Sequence, residues 1–250
     1  MTQTALQQGG IFLVDKPKGL TSHDVVDVMR RKLGIRRIGH AGTLDPLAEG
    51  LLVLLVGRAT KYSAFLSGQD KVYESTVVFG RQTETGDSEG AVVREIDPGL
   101  EPSVERWEEA LDRFRGEIQQ VPPMYSALKH KGQPLYKLAR KGKVIEREAR
   151  TLHVHRFEVT ASRWPEVDLI IECSSGTYVR TLAEDLGRAL DLPAYLFWLR
   201  RIRSGNCSLD QAKPLQELLD SPEPELMKVL FKPTELGLPE DPKACGSPKL

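Results

Sequence analysis

The feature that most constrains this chain is an abrupt change of character at residue 50. Residues 39–50, G-H-A-G-T-L-D-P-L-A-E-G, hold three glycines and a proline and follow neither the helix nor the strand period. They run directly into L-L-V-L-L-V, Leu51 to Val56, with no polar break. An unbroken apolar run of that length fits a strand buried on both faces. A stretch so rich in glycine and proline fits a structured loop whose backbone can approach a ligand closely. The chain must therefore build a sheet core and lead into its most buried strand through a rigid loop.

The remaining pattern supplies the partners of that strand. Gly10 to Lys16 reads as a short buried strand stopped by Pro17 and Gly19. T-S-H-D-V-V-D-V-M-R-R-K-L-G reads as a helix, with Thr21 or Ser22 as N-cap and Asp24 in the first turn, where the helix dipole favours an anion. Val25, Val26, Met29 and Leu33 fall on one face, Arg30, Arg31 and Lys32 fall in the last turn, and Gly34 is placed to end the helix. Further strands are predicted over Lys71 to Phe79, Leu152 to Val159 and Val167 to Cys173, the last ended by Gly176. Helices are predicted over Pro102 to Phe114, with Trp107, Leu111 and Phe114 inward, and over Thr177 to Leu190. Gly80 to Gly90 reads as turn, and beyond Leu209 only a short helix, Pro214 to Leu219, keeps a pattern. Strands and helices mix without strict β-α-β alternation, which points to an α+β fold rather than a doubly wound one.

The chain of 250 residues is long enough for one large domain or two small ones. It has no apolar run of about 18 residues, the length a membrane span needs. Met1 to Gly9 has neither the basic nor the apolar region of a signal peptide. The three cysteines, Cys173, Cys207 and Cys245, are far apart and form no C-x-x-C pair, which argues against a disulfide framework or a zinc site and suits a reducing cytoplasm. His153 and His155 alternate as a polar strand face would, without a metal-ligand cluster around them. The formal net charge is zero, but it is unevenly spread. Residues 129–150 hold eight Lys/Arg against two Glu, and residues 30–37 hold five Lys/Arg and no acid. The chain after Leu209 leans the other way, with eight acids against five lysines. Solvated helix faces would explain either basic cluster alone; two together favour a polyanionic partner.

Four places could carry chemistry. Asp45 is the one carboxylate inside the G-H-A-G-T-L-D-P loop, with Pro46 restricting it to extended geometry. Such an aspartate can form an Asx turn or act as a nucleophile, and the residues alone leave both open. Tyr73, in a strand, can be core, a stacking platform for a base or a proton carrier. S-S-G-T-Y-V-R-T, Ser174 to Thr181, lies at a strand-to-helix junction and can place Tyr178 and Arg180 against a substrate or leave the arginine on a helix surface. L-F-W-L-R-R-I-R, Leu196 to Arg203, reads as core edged by solvated arginines. The chain contains no G-x-S-x-G, G-x-x-x-x-G-K-[ST], G-x-G-x-x-G, H-E-x-x-H or zinc-deaminase signature.

Four segments together resemble the bacterial tRNA pseudouridine-55 synthase family, the TruB type. They are D-K-P-K-G-L-T-S-H-D at 15–24, G-H-A-G-T-L-D-P-L-A-E-G-L-L at 39–52, V-P-P-M-Y-S-A-L-K at 121–129 and S-G-T-Y-V-R-T-L at 175–182, with L-R-R-I following at 199–202. Any one segment is modestly specific; the set and its order are highly specific. The resemblance implies a pseudouridine synthase fold: α+β, with a mixed, mostly antiparallel central sheet flanked by helices. It implies a catalytic domain over residues 10–210 with a basic RNA-gripping insertion at about 120–150. Residues 211–250 are then a short acidic, proline-rich tail, too short for the complete C-terminal PUA domain usual in the family.

The activity implied is isomerisation of uridine-55 in the T-loop of tRNA to pseudouridine, without cofactor or metal, by a cytoplasmic enzyme. Asp45 matches the family nucleophile. His40 matches the histidine that supports the flipped nucleotide, and Tyr73 the tyrosine that packs on the uridine. Tyr178 and Leu199 match further pocket residues, and Arg180 the arginine that pairs with the aspartate. Lys16, Lys61, Lys129, Lys131, Lys137, Arg140, Lys141 and Lys143 are expected on the RNA backbone, where basic side chains position the nucleic acid without reading its sequence. The expected partner is the T-stem-loop of tRNA and the expected state a monomer, since no coiled coil or apolar stripe suggests otherwise. Two alternatives remain: an RNA-folding chaperone using the same surface, and a synthase of this fold aimed at another RNA.

Overall fold

A computed structural model describes residues 9–126, 128–139 and 141–245. In chain order its strands are β1 (Gly10–Lys16), β2 (Ile38–Ala41), β3 (Glu49–Val56), β4 (Lys71–Phe79), β5 (Arg81–Thr83), β6 (Val92–Glu95), β7 (Gly116–Gln120), β8 (Lys129–His130), β9 (Gln133–Pro134), β10 (Arg150–Arg163), β11 (Glu166–Cys173), β12 (Ala194–Ser204), β13 (Cys207–Ser208) and β14 (Lys213–Pro214). Its helices are α1 (Ser22–Leu33), α2 (Ser63–Ser67), α3 (Val104–Asp112), α4 (Leu135–Ala139), α5 (Val179–Ala189), α6 (Leu215–Asp220) and α7 (Glu223–Lys228). The architecture is α+β. The contacts divide the chain into two compact units, one running up to Glu74 and resuming at Leu199, the other from Ser75 to Trp198.

The first unit is organised around β3. Its L-L-V-L-L-V run is buried throughout, which is why neither face carries a polar residue. β1 pairs with it antiparallel along its length, from Gly10 opposite Val56 to Lys16 opposite Gly50. On its other side β2 pairs antiparallel with its second half and β12 parallel with its start. β14 adds to β1 in parallel, so the sheet is mixed. Leu51, Val53 and Leu55 share a face and pack with Ile11, Leu13, Tyr62 and Leu66. α1 forms where predicted. Thr21 and Asp24 close a capping box, Val25, Val26, Met29 and Leu33 are buried, and Gly34 takes φ 65° after the last turn.

Two expectations change here. Residues 39–50 are not loop throughout, because Ile38–Ala41 and Glu49 onward pair as strands and only residues 42–48 remain irregular. The segment read as a tail is a packed part of the first unit. Leu215, Leu218, Leu226, Leu236 and Leu238 are buried, Phe231 exchanges backbone hydrogen bonds with Ile11, and the Tyr62 hydroxyl donates to the carbonyls of Pro239 and Glu240.

In the second unit β10 pairs antiparallel with β11 on one side and β7 on the other. β10 extends from Arg150 to Arg163, past the predicted ends, and bends at register shifts beside Val154 and Val159. α5 buries Val179, Leu182, Ala183 and Leu186, the face its spacing predicts. α3 buries Trp107 and Leu111, and Trp107 joins Phe79 and Trp164 in an aromatic cluster with centroids 5.3 to 6.2 Å apart. Gly80 to Gly90, expected as turn, starts with β5, which pairs with β6. The basic insertion folds as a two-residue hairpin, β8 with β9, followed by α4. Among the described residues, no helix is long and apolar enough to cross a membrane.

Candidate active site

Asp45 sits on the irregular segment 42–48, between β2 and β3. Three groups fix that segment. The Ser22 hydroxyl, at the start of α1 and only 1% exposed, accepts from the Leu44 N–H at 2.8 Å and donates to the Leu44 carbonyl at 3.1 Å. The Gly19 N–H donates to the Pro46 carbonyl at 2.8 Å, and within the loop the Ala48 N–H donates to the Asp45 carbonyl at 3.1 Å. Arg201, from β12, is 1% exposed; its Nε donates to the Leu51 carbonyl at 2.8 Å and its Nη2 to the Gly42 carbonyl at 3.0 Å. Leu44, Leu47 and Ala48 are buried beneath the loop. Asp45 stays half-exposed. The backbone on both sides of the carboxylate is held while the residue itself stays half-exposed, an arrangement that suits a nucleophile or base.

Two glycines make the close approach possible. Gly42 has φ 84°, and a Cβ there would lie 3.3 Å from an Arg201 guanidinium nitrogen. Gly50 has φ 93°, and a Cβ there would lie 2.4 Å from the Arg201 carbonyl oxygen. Only glycine fits at either place.

His40 belongs to β2, one turn of chain before the loop. Its imidazole pKa is lowered to about 4, first by burial and then by electrostatic interaction with His23 and the Arg201 guanidinium. The ring is therefore neutral at pH 7. His23 meets it edge to face at 6.0 Å, and the buried Nδ1 of His40 has no hydrogen-bond partner among the described residues. A neutral ring without an obligatory polar contact suits stacking. Tyr73 and Leu199 are buried in the same unit. Lys71 is buried beside Gly42, with its ammonium donating to the carbonyls of Ser67 and Gln69 at 2.5 Å.

The second unit holds Tyr178 and Arg180. Tyr178 is the N-cap of α5, and the buried Gln120 amide clamps its backbone: Tyr178 N–H donates to Gln120 Oε1 at 2.8 Å, and Gln120 Nε2 donates to the Tyr178 carbonyl at 3.2 Å. The Arg180 guanidinium is buried, donating to the carbonyls of Thr85 at 3.0 Å and Tyr125 at 2.7 Å and lying 3.4 Å from Asp87 Oδ2. Asp87 in turn accepts from the Thr85 hydroxyl and the Glu89 N–H. The alternative of a solvated Arg180 is thereby settled.

The expected RNA-backbone residues divide. Lys61, Lys131, Lys137, Lys141 and Lys143 are exposed. Lys129 lies in β8, and Arg140 lies outside the described residues. Lys16 is a correction: it is fully buried, and its ammonium donates to the carbonyls of Pro17 at 2.9 Å and Leu20 at 2.7 Å. It closes the turn into α1 instead of facing a phosphate. The arginines of β12 are also not simply solvated, since Arg201 is buried and Arg200 pairs with Asp15 at 2.7 Å and Glu49 at 3.3 Å. Ser22, Arg201, Gln120 and Asp87 were missed by sequence reasoning; their roles rest on contacts far apart in the chain. Among the described residues no group of three or more His, Cys, Asp or Glu is placed to hold a metal ion.

Comparison with known proteins agrees with the motifs. A family model described as the TruB family pseudouridylate synthase N-terminal domain matches residues 30–179. The tRNA pseudouridine synthase B of Mycobacterium sp. (strain KMS) is 49% identical over 218 residues, covering 86% of this chain and 73% of that protein. The protein of the same name from Opitutus terrae is 45% identical over 233 residues, covering 92% of this chain and 95% of that protein. Among solved structures, a chain of a Cbf5-Nop10-Gar1 complex is similar with a TM-score of 0.69 and 28% identity. That likeness covers 88% of this chain, which spans 56% of the length of that one.

Proposed function

Because the chain belongs to the TruB family of pseudouridylate synthases, we propose that it is a tRNA pseudouridine synthase acting on uridine-55 of the T-loop, with Asp45 as its nucleophile. The overall change is an isomerisation. The bond from uracil N1 to the ribose C1′ breaks, the base turns, and C5 bonds to C1′; the C5 proton is given up to solvent and N1 takes one. The Asp45 carboxylate acts on C6 of the base, on C1′, or on the 2′ proton along a glycal route. No cofactor enters, and the enzyme works as a monomer in the cytoplasm.

The observation that carries the reading is the treatment of Asp45: a half-exposed carboxylate whose neighbours on either side are tied down by Ser22, Gly19 and Arg201. A folded T-loop must extrude its uridine before an aspartate can reach it, at a cost of a few kcal/mol. The neutral His40 ring supports the extruded nucleotide by stacking, and Tyr73 and Leu199 line the uracil. Tyr178 and Arg180 are further substrate contacts. Lys61 and the exposed lysines of the 129–150 insertion, Lys131, Lys137, Lys141 and Lys143, meet phosphates and fix the stem-loop.

The test is conversion of a T-stem-loop RNA by the purified protein, read by mass spectrometry. Wild type should form one pseudouridine at the T-loop position. Asp45→Asn should form none while binding the RNA with an affinity near that of wild type. Pseudouridine made by the variant would remove Asp45 from the role. An untouched T-stem-loop beside new pseudouridine elsewhere in total RNA would keep the chemistry and overturn the target.

A further inference from the structure

The first unit carries a concentration of positive charge of which the reading above uses only Lys61. Residues 30–38 and 57–61 are stitched together: the Gly57 N–H donates to the Arg37 carbonyl at 2.8 Å, Arg37 Nε donates to Thr60 Oγ1 at 2.9 Å, and Arg30 Nη2 donates to the Ile38 carbonyl at 2.7 Å. Around these contacts Arg31, Lys32, Arg36, Arg37, Arg58 and Lys61 are all exposed. None of the six has an ion-pair partner among the described residues, and nearby Asp27 is already taken by Arg30 at 2.9 Å. On the C-terminal side Arg58 and Lys61 border a groove also lined by Lys232, Glu240 and Asp241, and the purely positive surface ends there.

The helix dipole accounts for Arg31 and Lys32 in the last turn of α1, but Arg36, Arg37 and Arg58 lie beyond it. Like charges gathered this way repel one another, and among the described residues, besides Asp27, only Glu240 and Asp241, in the groove beside Arg58 and Lys61, bring acids near them. We infer that this ridge is a second contact surface for the RNA backbone, separate from the 129–150 insertion, and that it grips phosphates of the paired stem. The inference rests on the RNA-modifying reading above. β2 gives the geometry, since it runs from the ridge at Arg37 to the loop at Gly42. At about 3.3 Å per strand residue, the ridge lies roughly 17 Å from the start of that loop. Phosphates follow one another at about 3.4 Å of helix axis per strand, so the ridge lies about five nucleotides of stem from the start of the loop that carries Asp45. Guanidinium groups bind phosphate bidentately and without regard to sequence. The ridge offers a lipid surface only the half-buried Ile35, as Leu33 and Ile38 are buried. A membrane-surface element needs a broader apolar face.

The triple variant Lys32→Gln/Arg36→Gln/Arg58→Gln tests this and spares Arg30 and Arg37, which stitch the segments. Binding is measured against salt for full tRNA and for a hairpin whose stem is cut to two base pairs. Each lost phosphate contact lowers the slope of log affinity against log salt by about 0.7 to 0.9, so the expected loss on tRNA is about 2 to 3. The Kd for tRNA at low salt should rise about tenfold, the cut hairpin should bind variant and wild type alike, and Tm should not move. An unchanged slope on tRNA overturns the ridge. So does a variant that keeps its tRNA affinity but loses binding to phosphatidylserine vesicles. A ridge-dependent slope in a wild type that makes no pseudouridine would leave the ridge standing and remove the reaction; pseudouridine formation with an unaltered slope would do the reverse.

Discussion

At the scale of single residues, the molecule separates the group proposed to react, Asp45, from the groups that hold it. Asp45 was legible in the sequence because the holding leaves a local trace: two glycines, a proline and a buried strand within a few positions. Arg201 and Gln120 left no such trace. Each acts on backbone far away in the chain, Arg201 on Gly42 and Gln120 on Tyr178, and a run such as L-R-R-I says nothing about which arginine turns inward. Ser22 gives the sharpest test of holding. Ser22→Ala leaves the Leu44 N–H and carbonyl without their buried partner, at a cost of about 1–3 kcal/mol in chemical denaturation. It should slow single-turnover pseudouridine formation roughly ten- to a hundredfold, since small misplacements of a reacting group are that costly. His40 gives a second. Its pKa of about 4 lies below the ordinary 6.5, so the unfolded chain takes up this proton before the folded one does. The stability linked to the neutral ring is complete above pH 6.5 and drains away as pH falls toward 4. NMR should place the titration midpoint near pH 4, and thermal unfolding of His40→Phe should lose that part of the pH dependence.

At the scale of elements, legibility followed length and caps. α1 was readable from Thr21 to Gly34 because its capping box, apolar period and terminal glycine all agree. β2 was not, because four residues containing a glycine and a histidine have no strand signature apart from their pairing with β3. The C-terminal elements were not, because each is short and contributes only one or two buried leucines between prolines. Two glycines should respond very differently to substitution. Gly34→Ala keeps open space around its Cβ and pays only for φ 65°, about 1–2 kcal/mol. Gly50→Ala adds to that backbone cost a Cβ 2.4 Å from the Arg201 carbonyl. It should lower Tm markedly further and disturb the parallel pairing of β12 with β3, seen as lost hydrogen-exchange protection at Gly50 and Arg201.

At the scale of the whole molecule, a formal charge of zero conceals a divided surface. Positive side chains gather in residues 30–37 and 129–150, and the acids that offset them are spread over the rest of the chain, with a modest excess after Leu209. Affinity for tRNA should therefore be steeply salt-dependent in spite of the neutral total. With six or more phosphate contacts, it should drop roughly 10³-fold between 50 and 200 mM salt in filter binding. A shallow dependence would mean that the exposed lysines of the insertion do not touch RNA.

The reach of Arg201 also has a consequence in time. The loop bearing Asp45 is synthesised well before the guanidinium that pins Gly42 and Leu51, which follows about 150 residues later. At about 5–20 residues per second, ribosomes take roughly 8–30 s to travel between the two. Until then the first unit lacks the strand that closes its sheet on that side. A growing chain thus carries its carboxylate with the ties from Gly19 and Ser22 already available and the one from Arg201 still missing, and a ribosome that stalls before residue 199 releases a fragment whose loop lacks one of its three anchors.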